Sequence, residues 1–329
     1  MLRSMLVSFT VFALFMLGIP SVVANASQTH GTLQLLIEPE AGMGQVDQLL
    51  SSAHKSIDLE IYELSDTTIE SILVKDEARG VDVRVILDKA YVENENIPAY
   101  NYLTSHHVAV HWAPSRFDLT HEKGAVIDGT MALVMTMNFT SRYYATTRDV
   151  VVIDTQSADV AAISATFNND WQDGGTTATT GTDLVWSPGS EDALVSLIDS
   201  AHHSLYIENE EMNDTYITNA LVSAARRGVK VTIVMTASSS WDGAFSTLTK
   251  AGVKIYTYPD TETALYIHAK VIDADPGYSD GRVFVGSENF SVASLVYNRE
   301  LGLITASPTP VKDLEQMITE DAVGGKLWT

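Results

Sequence analysis

Two stretches of the chain carry the same pattern of apolar and polar positions in the same order. Val46 to Ala53 has apolar residues at helical spacing, and Ser56 to Tyr62 then alternates as a strand does. Ala193 to Ala201 and Ser204 to Glu208 repeat that sequence of patterns. A second helical run, Ile69 to Arg79, leads into Gly80 and the β-branched run Val81 to Leu87. Its counterpart is Ile217 to Arg227, then Gly228 and Val229 to Met235. Glycine stands in both copies where a helix C-cap belongs, and a strand is predicted to follow. Helices alternating with strands predict an α/β fold.

The copies keep a nearly constant offset. It is 148 between Gly80 and Gly228, 147 between His121 and His268, and 151 between Asn138 and Asn289. Small drifts over half a chain are the mark of a duplication with short loop insertions. Asp173 to Thr182, rich in Gly and Thr, reads as a flexible linker. It divides the chain into a first half, 27–175, and a second half, 176–329, expected to pack as pseudo-symmetric partners.

Residues 1–26 read as an export signal. Arg3 supplies the positive start, Leu6 to Ile19 the apolar run, and Ala24-Asn25-Ala26 a small-residue cleavage site. The expected location is therefore secreted or extracytoplasmic, in a periplasm or at a cell surface. The 329-residue chain has no cysteine, which excludes disulfides, thiolate metal sites and a cysteine nucleophile. Its formal net charge is −22, and removal of Arg3 with the signal makes it −23. So acidic a surface repels polyanions, and nucleic-acid binding usually needs a basic patch.

Candidate chemistry sits at equivalent places in the two copies. His121-x-Lys123 with Asp128 is matched by His268-x-Lys270 with Asp275. Asn138 and Asn289 follow, each with an Arg-acid pair eleven residues on: Arg148-Asp149 and Arg299-Glu300. Thr120 to Ile127 reads as a strand, which puts His121 and Lys123 on one face. If the halves pack face to face, two imidazoles and two ammonium groups converge, and that set suits a phosphodiester. Lys123, Lys270, Asn138 and Asn289 would hold the non-bridging oxygens. One histidine would attack phosphorus, and the other would protonate the leaving alkoxide and then activate water or an alcohol. Asp149 and Glu300 are the candidates to orient the two rings, Asp149 being expected at His121 of its own half. Two in-line displacements retain configuration at phosphorus and call for no metal and no cofactor. Asp128 and Asp275 precede turns and read as structural. Arg148 and Arg299 read equally as site residues or as surface ion pairs.

These residues resemble the signature of the phospholipase D superfamily, H-x-K-x4-D followed by G-S-x-N and a later acid. The second copy carries Gly286-Ser287-Glu288-Asn289, and the first carries Met135-Thr136-Met137-Asn138, with Met for Gly and Thr for Ser. Asp149 replaces the usual Glu. The resemblance implies two pseudo-symmetric mixed-sheet halves, with Thr136 and Ser287 joining the phosphate-binding set. It also implies a phosphohistidine intermediate and hydrolysis or phosphatidyl transfer. A phospholipid substrate, peripheral contact with a membrane and a monomeric chain are expected, with nucleic acid less favoured. A secreted nuclease of the same superfamily and a catalytically silent phosphate- or lipid-binding module are the alternatives. Trp112, Phe117, Trp241 and Tyr266 lie near the expected pocket mouth, where core packing is the competing role.

Overall fold

The computed structural model describes residues 32–329; the expected signal, 1–26, lies outside the described residues. The first set of elements runs β1 (Leu33–Glu38), α1 (Gly44–Ser51), β2 (Ser56–Ile61), α2 (Thr67–Ala78), β3 (Asp82–Leu87) and α3 (Glu93–Ser105). It continues with β4 (Ala109–Trp112), β5 (Lys123–Ile127), β6 (Met131–Met135), β7 (Thr147–Asp154) and α4 (Ser157–Trp171). The second set runs β8 (Leu184–Ser187), α5 (Glu191–Ser200), β9 (Ser204–Glu208), α6 (Thr215–Arg227), β10 (Lys230–Thr236), α7 (Asp242–Lys250) and β11 (Lys254–Tyr258). It ends with β12 (Tyr266–Ile267), β13 (Val271–Ala274), β14 (Arg282–Gly286), β15 (Glu300–Thr305), α8 (Pro308–Gly324) and β16 (Lys326–Leu327).

Two mixed sheets result, as expected. The first has the order β1-β7-β6-β5-β2-β3-β4, and the second β16-β11-β10-β9-β13-β14-β15-β8. The central strands β2 and β3, like β9 and β10, pair in parallel, whereas β5–β7 and β13–β15 form antiparallel meanders. One apolar core lies between the first sheet and α1–α3, and another between the second sheet and α5–α7. A third joins the inner faces of both sheets through α4 and α8, with Val126, Val134, Ile163, Val271, Val285 and Leu314 among its members. Burial of this shared core is what binds the two copies to each other.

The repeated pattern produces repeated local devices. Asp66 caps α2 by accepting from the Thr68 amide at 2.7 Å, and Asp214 caps α6 by accepting from Ile217 at 2.9 Å. Gly80 and Gly228 take φ of +94° and +96° just past those helices, conformations that a side chain disfavours. Asp128 and Asp275 stand directly after β5 and β13, at positive φ of +55° and +51°. Asp128 gathers the amides of His54, Lys55 and Ser56 at 2.7 to 3.1 Å, and Asp275 those of His202, His203 and Ser204 at 2.6 to 2.8 Å. Each aspartate thereby fixes the start of the central strand β2 or β9.

The expected linker is not loose. Residues 173–182 run irregularly along α4, where Thr179 donates its amide to Thr166 Oγ1 at 2.9 Å and Asn169 Nδ2 donates to the Gly175 carbonyl at 2.8 Å. Composition reports backbone freedom but not the partners waiting on the neighbouring helix. Among the described residues no helix is long and apolar enough to cross a membrane.

One strand residue carries a conspicuous electrostatic cost. Asp273 in β13 is fully buried and neither carboxylate oxygen has a partner among the described residues. Burial, with Glu315 and Asp275 nearby, pushes its carboxyl up to about 8. The folded chain therefore holds a proton there that the unfolded chain loses near pH 4, so stability falls as pH rises from about 4 to about 8. The contribution between pH 5 and pH 8 is at most roughly 4 kcal/mol. Asp273→Asn is expected to flatten this decline, measured as urea midpoints at pH 5 and pH 8. An unchanged pH dependence would show that Asp273 is ionised throughout.

Candidate active site

The two motif histidines are stitched to the opposite copy. The His121 amide donates to the Arg299 carbonyl at 2.9 Å, and the His268 amide to the Arg148 carbonyl at 3.2 Å. His121 therefore lies just ahead of β5, bridged to the second sheet, rather than inside the continuous strand that its sequence predicts. The same crossing carries the carboxylates. His121 Nδ1 meets Glu300 Oε2 at 2.9 Å, and His268 Nδ1 meets Asp149 Oδ1 at 2.8 Å. The expected pairing of Asp149 with His121 is thus corrected: each acid serves the imidazole of the other half. With Nδ1 engaged, Nε2 is the ring nitrogen left for chemistry.

The carboxylates are themselves held. Glu300, fully buried, accepts from the Ser294 hydroxyl at 2.6 Å and from Asn298 Nδ2 at 3.2 Å. Burial alone would raise its carboxyl; His121, Lys123 and Ser294 outweigh that and keep it below its ordinary range. Asp149 accepts from Thr136 Oγ1 at 2.5 Å. Thr136 in turn accepts from the Val150 amide at 2.9 Å, and Ser287 Oγ from the Leu301 amide at 3.1 Å. Both hydroxyl residues are fully buried behind the acids. Their hydroxyls accept from the backbone amides of β7 and β15.

Lys123 and Lys270 are both fully buried, and each donates Nζ to the carbonyl of the histidine two residues before it. Burial pushes the Lys123 amine down to about 7. The charge of Lys270 is felt at both His121 and Lys123, so the cations of the two copies share one enclosure. His121 is held below the ordinary imidazole range, mainly by burial and further by the two lysines, against the opposing pull of Glu300. Asn138 and Asn289 each present a buried Oδ1 with no partner among the described residues.

The copies differ at one position that the motif does not include. Glu210 follows β9 where Tyr62 follows β2, again at an offset of 148. Glu210 accepts from Lys270 Nζ at 3.0 Å, from Asn289 Nδ2 at 3.3 Å and from the Tyr266 hydroxyl at 2.7 Å, and lies 3.5 Å from His268 Nε2. Tyr62 instead sets its ring edge-on to His121, 4.7 Å between centroids, and 5.1 Å from Lys123 Nζ. Only the comparison of equivalent positions in the two repeats could have drawn attention to Glu210.

Arg148 and Arg299 are neither surface residues nor part of the pocket. Arg148 is bidentate on Asp321 of α8, at 2.6 and 2.9 Å. Arg299, fully buried, pairs with Asp170 of α4 at 2.8 Å. Both ion pairs join one copy to the other. Met135, the departure at the signature glycine, packs in the first core. A side chain at its counterpart Gly286 would meet Glu288 and Gly302 within 2.5 Å, so glycine there makes room for the buried Glu288. Of the aromatics expected at the mouth only Tyr266 lines the cavity; Trp112 stacks on Tyr100, Phe117 lies under Arg299, and Trp241 packs on the second core.

A cavity of about 810 Å³ opens beside His268 and Asp149. Its wall includes Glu38, Tyr143, Glu210, Asp260 and Glu262, with Arg142 as its one lysine or arginine. Arg142 points to Glu63, 3.5 Å away.

Two imidazoles backed by carboxylates and flanked by two lysines form an anion site able to support acid, base and nucleophile at once. A family model described as cardiolipin synthase, PLD-like domain, matches residues 46–171 and 194–322. The mitochondrial cardiolipin hydrolase of Xenopus tropicalis is 31% identical over 125 residues, covering 38% of this chain and 59% of its own length. A phospholipase D of Rickettsia typhi is 36% identical over 112 residues, covering 32% of this chain and 50% of its own. The chain thus spans little more than half the length of these relatives. The crystal structure of a phosphatidylserine synthase from Haemophilus influenzae superposes with a TM-score of 0.69 at 13% identity, over 90% of this chain and 87% of its own, a likeness of fold. Both repeats are matched and most of the chain is covered: the protein belongs to the phospholipase D-like family.

Proposed function

We propose that this chain is an exported phosphodiesterase that acts on phospholipids through a phosphohistidine and needs no metal ion. The carrying observation is the crossed pair of imidazole–carboxylate contacts, at 2.9 and 2.8 Å, which leaves one Nε2 from each half for reaction. In the first step His121 Nε2 bonds to phosphorus while the bond to the leaving alcohol oxygen breaks. The His268 Nε2 proton passes to that alkoxide. In the second step His268 takes a proton from water, or from an acceptor alcohol, whose oxygen displaces His121 from phosphorus.

The roles are not interchangeable. Burial holds His121 below the ordinary imidazole range, which favours the unprotonated ring that an attack on phosphorus requires. His268 has a carboxylate facing each ring nitrogen, Asp149 at Nδ1 and Glu210 at Nε2, a setting that suits a donor. Lys123 and Lys270 supply the positive charge that the developing phosphorane needs. The acidic cavity wall and the net charge of −22 favour a lipid over a polyanion.

The test is hydrolysis of phosphatidylcholine and phosphatidylglycerol micelles, set beside labelled DNA, all in EDTA. Lipid cleavage with an acid-labile, alkali-stable phosphoenzyme is expected. Cleavage of DNA alone would establish the nuclease reading, and absence of all turnover the silent binding module.

A further inference from the structure

One oxygen of Glu210 stands where a phosphate oxygen belongs. Glu210 Oε2 is 3.0 Å from Lys270 Nζ, 3.3 Å from Asn289 Nδ2 and 3.5 Å from His268 Nε2, the three groups that the second half would bring to a substrate. The other oxygen accepts from the Tyr266 hydroxyl at 2.7 Å. Burial alone would raise this carboxyl; Lys270, His268 and Tyr266 outweigh that and hold it well below its ordinary range. Glu210 is therefore an anion at rest. In the first half Tyr62 takes the equivalent place, with its ring beside His121 and Lys123, and brings no charge. A phosphate that engages Lys270 and Asn289 must displace Glu210, whose side chain is 23% exposed and lines the open cavity.

The charges of the enclosure are matched before any substrate arrives. Lys123, Lys270 and one protonated imidazole face Asp149, Glu300 and Glu210. A phosphodiester carries a single negative charge and exchanges for the Glu210 carboxylate one for one. A phosphomonoester carries about two near pH 7 and leaves one in excess. The wall toward which Glu210 turns offers little to neutralise it: Arg142 is its one lysine or arginine, and Glu63 already faces that guanidinium at 3.5 Å. A displaced Glu210 thus keeps its charge a few ångströms from the bound phosphate. Coulomb repulsion scales with the product of the charges, so a dianion meets about twice the repulsion of a monoanion.

We infer that Glu210 is a specificity-determining residue of the phosphate site: it occupies Lys270 and Asn289 at rest, yields them to a singly charged diester, and excludes doubly charged monoesters. The same repulsion clears the site after the second step, because water as acceptor turns the phosphohistidine into a phosphomonoester. The inference rests on the function proposed above, in which Lys270 and Asn289 hold the phosphate, and adds to it a means of telling substrate from product by charge.

Calorimetric titration of the full chain with dimethyl phosphate, a monoanion, and methyl phosphate, mostly a dianion near pH 7, tests this at constant ionic strength. The native chain is expected to bind dimethyl phosphate at least as tightly as methyl phosphate, against the usual preference of a two-lysine site for the higher charge. Glu210→Gln keeps the shape and an acceptor for Lys270 but removes the charge. Both anions should then bind more tightly, and the ratio of affinities should move by about tenfold or more toward methyl phosphate, the scale of one unit charge close by at an effective dielectric constant of about 20. Asp260→Asn, which removes a charge from the same wall without freeing Lys270, should move the ratio much less. Tighter binding of methyl phosphate by the native chain overturns the inference, and this comparison decides even if Glu210→Gln fails to fold. An unchanged ratio in Glu210→Gln, or an equal change in Asp260→Asn, overturns it too, while leaving the phosphate-holding role of Lys270 and Asn289 intact. Binding of neither anion, native or variant, overturns both that role and the inference.

Discussion

His121→Ala and His268→Ala are each expected to lower turnover of a natural diester by about ten-thousand-fold, the scale on which members of a nucleophile–base set act as one unit. The two variants should fail differently. With a p-nitrophenyl phosphodiester the leaving group needs no proton, so His268→Ala still forms the phosphoenzyme. It then accumulates, because nothing activates the water of the second step. His121→Ala forms none. Rapid quench with radiolabelled substrate, followed by acid and alkali treatment, distinguishes the two. Label trapped on His121→Ala and absent from His268→Ala would reverse the assignment, and near-native turnover in either variant would end the two-histidine mechanism.

Arg299→Met is expected to destabilise the fold by roughly 3 to 5 kcal/mol, the cost of breaking a buried ion pair from one side. Arg299 is fully buried beneath Phe117 and Trp186, and its guanidinium meets Asp170 at 2.8 Å. Glu60, Glu122 and Asp170 crowd together there, and neither Glu60 oxygen has a partner among the described residues. Burial raises the Glu60 carboxyl and pushes Glu122 up to about 8. Arg299 and Arg116 supply the compensating charge. Adding Asp170→Asn to Arg299→Met should recover part of the loss, because the carboxylate left with Arg116 alone goes with it. Urea midpoints for the two single variants and the double close this cycle. Strict additivity would show that Arg299 contributes packing alone.

Much of this arrangement is written in the chain because it is local. Helix, glycine and β-branched run recur in order, so α2–β3 and α6–β10 are visible as a repeat. Asp128 and Asp275 stand at turns, and three amides converge on each. His121, Lys123, His268 and Lys270 stand out by repetition. What could not be read is what crosses between the copies. Spacing along the chain ties Asp149 to His121, yet β12 pairs with β7 and carries His268 to the Arg148 carbonyl beside Asp149. Arg148 and Arg299 look like surface charges until the partners Asp321 and Asp170 arrive from helices 173 and 129 residues away. Thr136 and Ser287 carry the right hydroxyls, but the pleat turns them behind the acids. Glu210 was hidden as one more acid in a chain of charge −22. Its meaning lies in having Tyr62 for a twin.

The crossed carboxylates also tie the fates of the two repeats. A duplicated gene segment ordinarily leaves one copy free to decay while the other keeps the activity. Here the acid of each repeat orients the base of its sibling, so a lesion at Glu300 disables His121 and one at Asp149 disables His268. Neither repeat supplies the carboxylate that holds Nδ1 of its own motif histidine. Selection must therefore act on both together, and divergence is confined to places such as 62 and 210, where asymmetry gives the two sides of one pocket different tasks.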